Sequence, residues 1–388
     1  MKHLTILSIA LSLLSFGYGI QYVGDRTEVW DQGKRLDFNW CLREQLKLHP
    51  SMQPQDLVKL CFQGAFGAEH AIPDENRAKQ FLEDEFKQVE PAQTPLFEII
   101  SPDVCRVNIA EWKRQGIPST WLLRLFIAST KVVPDGKQVF ENLIATATEM
   151  VRQNQAPFTL KAWEDYLAEY RKGGIKAVHH SQGYRDAEKP AYRIVSTRFI
   201  PLFKILEKAA TLNDGSVRVV AFDGRCASGK TTLAKMLQNI LDAELIQMDD
   251  FFLPPDVRTP ERQAEPGGNV HYERFEAEVL KYIKQPVPFE YRIFDCKIQD
   301  YKGKREIGTK PWRIVEGAYS FHPRFGDYAD IRVFSNINPR EQMRRILNRN
   351  GEQQAQVYRT RWIPMEEKYI RTCNVLQRSH IVIGDELE

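Results

Sequence analysis

The chain has 388 residues and a mass of 45.0 kDa, which at about 150 residues per domain gives two domains, or one with appendages. Hydrophobic residues make up 43% and charged residues 27%, close to the averages of soluble globular chains, so wholesale disorder and a collagen-like fibre are excluded. Lys+Arg total 54 against 51 Asp+Glu, and a formal charge of +3 supplies no bulk attraction to nucleic acid or an anionic membrane; any anion site must be local.

Lys2 and His3 precede an apolar run from Leu4 to Phe16, with Gly17 and Gly19 around Tyr18. This is the layout of a secretory signal, and it is too short to span a bilayer. Residues 1–30 are therefore read as a signal-like or disordered extension. From about Trp40 to Ala210 apolar residues recur at helical spacing. Pro54 fits a first turn and is followed by Leu57, Cys61 and Ala65; Leu82, Phe86 and Val89 form a second stripe. Ser119 is expected to cap a helix carrying Leu122, Leu125 and Phe126. Val139, Leu143 and Met150 mark another helix, and Trp163, Tyr166, Leu167 and Tyr170 fall at i, i+3, i+4 and i+7. Gly173 and Gly174 end that helix, and the polar stretch Ala177 to Lys189 is read as a loop. Residues 31–212 are thus expected to form a mostly helical domain.

Asn213 to Ser216 form a turn cluster ahead of an apolar run from Val217 to Phe222. Beyond it comes a glycine loop, then a helix with Leu233, Leu237, Ile240 and Leu241 on one face, then apolar runs at Glu244 to Met248, Arg313 to Val315 and Ile331 to Phe334. Alternating strands and helices predict a parallel α/β sheet with helices on both faces over residues 213–388. Cys41, Cys61, Cys105, Cys226, Cys296 and Cys373 include no C-x-x-C pair, so zinc-ribbon and thioredoxin spacings are absent, and the six read as scattered buried thiols.

Gly224-Arg225-Cys226-Ala227-Ser228-Gly229-Lys230-Thr231 is a complete G-x-x-x-x-G-K-[ST] match, with a predicted strand before it and an amphipathic helix after it. The glycines let the backbone curl so that amides point inward, and the helix N-terminus adds a positive dipole for a polyphosphate. Lys230 is expected to reach the β and γ phosphates, Thr231 to offer its hydroxyl to Mg²⁺, and Thr232 to meet the α phosphate. The chain has no Asn-Lys-x-Asp, the usual guanine-reading element. Asp249 and Asp250 end the next apolar run, at the phosphate crevice of such a sheet. Neighbours on an extended strand alternate sides, so one is expected to be the base for a substrate hydroxyl and the other structural or near the metal. Glu316 ends the run Arg313-Ile314-Val315 and is a Mg²⁺ candidate. Arg345 and Arg349 share a helix face and can close over a transferring phosphoryl group.

From Val217 to about Cys373 the chain resembles the uridine kinase and phosphoribulokinase family of P-loop kinases. The resemblance is carried in order by GRCASGKTT, MDDFF, GGNVHYERF, IVEGAYSFHP, INPREQMRRILNRN and RWIPMEEKY. It implies ATP with Mg²⁺ and transfer of the γ-phosphoryl group to a hydroxyl of a nucleoside or other small metabolite. It also implies Asp249 as general base and Arg345 and Arg349 as lid arginines. Where related uridine kinases carry an acid for the ribose hydroxyls, this chain reads Asn269-Val270-His271, and the family's later Tyr-Asp and His elements are not clearly present in Phe289 to Asp295. Uridine as acceptor therefore does not follow. His271, Tyr272, Arg274 and Tyr291 remain substrate-side candidates with Asp250. Two other readings stand beside the nucleoside kinase: a nucleotide-binding module that regulates the N-terminal domain, and a kinase for a sugar phosphate or vitamin. Because ATP is abundant in the cytosol and scarce outside it, a kinase is expected in the cytoplasm, against the signal-like N-terminus. The expected partner is a small hydroxyl acceptor, without nucleic acid or a membrane span. In the N-terminal domain, Glu69-His70 and the group His179, His180, Ser181, Tyr184, Arg185, Tyr192 and Arg193 gather polar, ring and cationic side chains, without metal-ligand or triad spacing.

Overall fold

Apolar residues at nearly every position of Val219 to Phe222 mark a strand buried on both faces, as helices on each side of a parallel sheet require. The computed structural model describes residues 19–23, 26–31, 34–68, 74–130 and 135–384. Residues 1–18 of the signal-like segment and the pair Glu69-His70 lie outside the described residues. The chain divides into two compact units, Met1–Ile200 and Pro201–Glu388.

In the first unit, strands β1 (Gly19–Val23), β2 (Arg26–Asp31) and β3 (Lys34–Arg35) pair antiparallel. Strands β4 (Phe97–Ser101), β5 (Val104–Asn108) and β6 (Tyr192–Ser196) form a second antiparallel sheet in that order. The rest is largely helical. Helix Pro54–Phe66 buries Leu57, Val58, Cys61 and Ala65 against Phe140 and Ile144 of helix Gly136–Arg152 and Trp163, Leu167 and Tyr170 of helix Leu160–Lys172. The helical periodicity is realised, with three differences. Two strands of five residues, joined by Pro102 and Asp103, form a hairpin that the sequence reading passed over. Ser119 is the first helical residue, after Pro118 at the cap. The polar stretch after Gly174 contains helix Gln182–Glu188, capped by the Ser181 side chain, which accepts from the Tyr184 amide.

In the second unit, β7 (Arg218–Gly224), β8 (Glu244–Gln247), β11 (Trp312–Glu316), β12 (Ile331–Asn336) and β13 (Ile381–Gly384) form one parallel sheet in the order β13-β12-β7-β11-β8. The two remaining strands, β9 (Phe289–Asp295) and β10 (Asp300–Ile307), pair as a separate antiparallel hairpin. This is the P-loop-type α/β sheet expected from the sequence; the hairpin was not. β7 lies at the centre, and the chain leaves it toward β8 on one side and later passes to β12 on the other. The carboxyl end of β7 is therefore the switch point where such sheets open a crevice. Helix Lys230–Leu241 follows β7 and buries Leu233, Ala234, Leu237, Ile240 and Leu241. Helix Ile200–Ala210, assigned by sequence to the N-terminal domain, clusters from Pro201 onward with the second unit. Among the described residues, no helix is long and apolar enough to cross a membrane, and all six cysteines are free; Cys296 is exposed, contrary to its reading as a buried thiol.

Candidate active site

The loop between β7 and helix Lys230–Leu241 has the backbone that its glycines were expected to allow. Gly224 has φ +131°, and a Cβ there would lie 2.1 Å from the Ser335 carbonyl oxygen on β12, so only glycine fits. Gly229 and Ala227 are also left-handed, with φ of 99° and 60°. Ser228 is buried, and its hydroxyl has no hydrogen-bond partner, an orphan in a loop otherwise well tied. Lys230, 8% exposed, turns its Nζ back onto the Gly224 and Arg225 carbonyls, both at 2.8 Å.

Glu316, at the end of β11, is in register with Gln247 at the end of β8. Its Oε2 accepts from Thr231 Oγ1 at 3.1 Å and its Oε1 from Gln247 Nε2 at 3.1 Å. Thr231 and Thr232 are both exposed at the start of the helix. The structure thus joins the two residues singled out for Mg²⁺ and adds Gln247.

Asp249 and Asp250 sit on a single 3₁₀ turn, Met248–Phe251. They separate because consecutive residues on that helix point about 120° apart, not because an extended strand alternates. Asp250 is buried and locked: its Oδ2 accepts from Tyr291 Oη at 3.0 Å and Arg305 Nε at 3.2 Å, and Arg305 also donates to Gln247 Oε1 at 3.0 Å. Asp249 remains open to solvent. The protein crowded around its carboxyl, followed by the negative charge of Glu316, pushes its pKa up to about 6, against the pull of Lys230 and Arg349. Water reaching the side chain screens part of this effect.

Arg345, on helix Pro339–Val357, donates to the Ala227 carbonyl at 3.2 Å and to Glu341 at 2.7 Å. Arg349, one turn on, is exposed, donates to Asn350 and bears electrostatically on Asp249. The other substrate-side candidates have structural partners. Tyr291 is 1% exposed and holds Asp250. Arg274 is buried, pairs with Glu278 and donates to the Asp250 and Arg292 carbonyls. Tyr272 donates to Glu265 at 2.7 Å beneath the Arg262 and Arg324 guanidiniums. His271 meets Glu273 at 3.2 Å.

Sequence reading passed over the residues that hold the loop from the far end of the chain. Helix Ile363–Thr372 supplies Tyr369 Oη to Asp223 at 2.8 Å, Glu367 to Arg225 at 2.6 and 3.1 Å, and Glu366, whose carboxylate accepts from the Cys226 amide at 2.9 Å. Gln342 donates to the Cys226 carbonyl at 3.1 Å. The only advance signal was the acidic pair within RWIPMEEKY.

In the first unit, His180 Nδ1 lies 2.8 Å from Asp56 and Nε2 lies 2.7 Å from Tyr192 Oη; Ser181 donates to Asp56 through both its amide and its hydroxyl. Burial holds the imidazole neutral, with its pKa lowered to about 4. Tyr184 stacks on His180 at 4.3 Å, and Arg106 lies over the Tyr192 ring at 4.7 Å. Arg193 pairs with Glu85, while His179 and Arg185 are exposed. These contacts tie helix Pro54–Phe66 to β6 and the preceding loop.

No family model matches the chain, and no curated protein does. Among solved structures, the chain is similar to a Bacillus stearothermophilus protein described as a possible uridine kinase, at 19% identity and a TM-score of 0.35, over 46% of this chain and 95% of that one. It is also similar to a Silicibacter protein assigned as a kinase of a fructose transport system, at 17% identity and a TM-score of 0.37, over 44% of this chain and 91% of that one.

Proposed function

We propose that the second unit is an ATP- and Mg²⁺-dependent kinase that transfers the γ-phosphoryl group to a hydroxyl of a small acceptor, a nucleoside or a related metabolite. One observation carries this reading. A carboxylate free to accept a proton, Asp249, lies within electrostatic reach of Lys230, Glu316 and Arg349 at the loop, while its neighbour Asp250 is locked away. Positioning and charge stabilisation supply most of the rate in such transfers, because the phosphoryl group needs little covalent help.

In this reading the amides of residues 224–232 and Lys230 hold the triphosphate, with the unpartnered Ser228 hydroxyl available to it. Thr231 and Glu316 are an all-oxygen pair of the type that Mg²⁺ prefers, and Gln247 orients Glu316. Bound there, the ion would draw negative charge from the phosphate oxygens. Asp249 takes the proton of the acceptor hydroxyl, and Arg345 and Arg349 stabilise charge on the transferred group. Asp250 acts through Tyr291 and Arg305 to fix the turn that presents Asp249. Arg274, Tyr272 and His271 support the acceptor side.

A screen of nucleosides, sugar phosphates and small alcohols with γ-labelled ATP tests the reading. Label on a hydroxyl compound supports it and identifies the acceptor. Nucleotide binding without product from any acceptor replaces it with a regulatory role toward the first unit.

A further inference from the structure

A loop that turns its amides inward is a nest for an anion, and in this chain a protein carboxylate already holds one amide of that loop. Glu366, only 9% exposed, accepts from the Cys226 amide at 2.9 Å, and the Lys230 charge acts on it. Asp223, the other buried carboxylate at the loop, is a structural anchor: it accepts from the amides of Gly224, Tyr319 and Phe321 and from the Tyr369 hydroxyl. Glu366 comes instead from helix Ile363–Thr372. That helix follows a backbone break at Gly351 (φ 76°, ψ 170°) and a π-helical turn at Tyr358–Trp362, two irregularities at which a helical segment can pivot. The same helix sends Glu367 to Arg225, so it grips two successive loop residues with two successive acids.

We propose that Glu366 is a built-in competitor for phosphate. Its carboxylate takes the Cys226 amide in the free protein, and a nucleoside triphosphate gains the loop only by displacing that carboxylate or binding against its charge. The inference rests on the loop being a nucleotide site and adds a residue that sets its affinity. It accounts for an acid, which repels phosphate, bonded to an amide of a loop built to attract it. A merely structural acceptor needs no charge, because a glutamine oxygen would hold the same amide.

The test is binding of ATP and of adenosine, measured by calorimetry on the full chain and its Glu366→Gln and Glu366→Ala variants. Glu366→Gln keeps the acceptor and removes the charge, so ATP should bind about tenfold tighter or more, with Glu366→Ala changing in the same direction and adenosine, which lacks phosphate, unchanged. ATP affinity that is equal or weaker in both variants overturns the proposal and leaves Glu366 as a strut for the loop. The second variant decides the matter if the first fails to fold. Absence of ATP binding by the wild-type chain and both variants would instead remove the nucleotide site itself, a result distinct from a failure of Glu366 alone.

Discussion

Replacing Asp249 with asparagine removes one charge and little else, because the side chain is exposed and the neighbouring Asp250 keeps its own partners, Tyr291 and Arg305. General-base catalysis contributes about 10²- to 10⁴-fold, so kcat should fall by that factor, or about 2.7 to 5.4 kcal/mol of transition-state stabilisation at 1.36 kcal/mol per decade. Asp250 cannot substitute while it is bound by a phenol and a guanidinium. The wild-type pH profile gives a second handle. A base works only when deprotonated, and the protein crowded around the carboxyl, with the Glu316 charge, raises the Asp249 pKa from 3.8 to about 6. At pH 5 about a tenth of the wild-type enzyme would hold the active carboxylate, against more than about nine-tenths for an unperturbed aspartate. The rate should therefore drop about tenfold per pH unit below 6. Folding should not suffer, since a carboxyl whose pKa is raised by its surroundings is more easily tolerated neutral. The assay is single-turnover transfer from γ-labelled ATP at saturating nucleotide, with thermal unfolding measured in parallel. A kcat within threefold of wild type, with the melting temperature unchanged, would refute the assignment of Asp249.

Gly224→Ala should destabilise the second unit by about 2–6 kcal/mol, combining a strained positive φ with overpacking against Ser335; denaturant unfolding checks this, and nucleotide binding should fall with it. Asp56→Ala strips the first unit of a buried carboxylate that accepts from the Gln53 amide, His180 and Ser181, and should cost about 1–3 kcal/mol for each buried donor left unsatisfied, read by chemical denaturation. Hydrogen bonds to His180 and Ser181 outweigh burial and lower the Asp56 pKa, so its contribution is present above the unfolded value and is lost as pH falls through the folded one. Acid unfolding followed on the first unit's signals should be less pH-dependent in Asp56→Ala, its stability varying less below the ordinary aspartate range than in the wild type.

The second unit was legible because its signals are local. Period and β-branching marked β7, and a glycine pattern of fixed length joined it to a helix whose apolar face Leu233, Leu237, Ile240 and Leu241 could be read directly. Thr231 and Glu316 were named separately, and parallel register brings them together. The separation of Asp249 from Asp250 was anticipated for the wrong reason, since sequence does not distinguish a strand end from a 3₁₀ turn. The clamp formed by Glu366, Glu367 and Tyr369 was illegible because it joins residues about 140 positions apart, and an acidic pair on a helix ordinarily reads as a solvated face. In the first unit the hairpin of β4 and β5 was lost among helices because five-residue strands carry too few alternations to register a period of two. His180 and Tyr192 were noticed for their chemistry, but their partner Asp56 lies 124 residues away from His180.

The account depends most on the loop at Gly224 to Thr231 holding a triphosphate for transfer. Lys230→Ala removes the cation from that loop, together with its two bonds to the Gly224 and Arg225 carbonyls, and keeps the glycines and the sheet sequence beneath it. Labelled phosphate should reach a hydroxyl acceptor with the wild-type chain and Mg²⁺, and none should do so with a Lys230→Ala chain that still unfolds cooperatively. Undiminished transfer by the folded Lys230→Ala protein would contradict the claim.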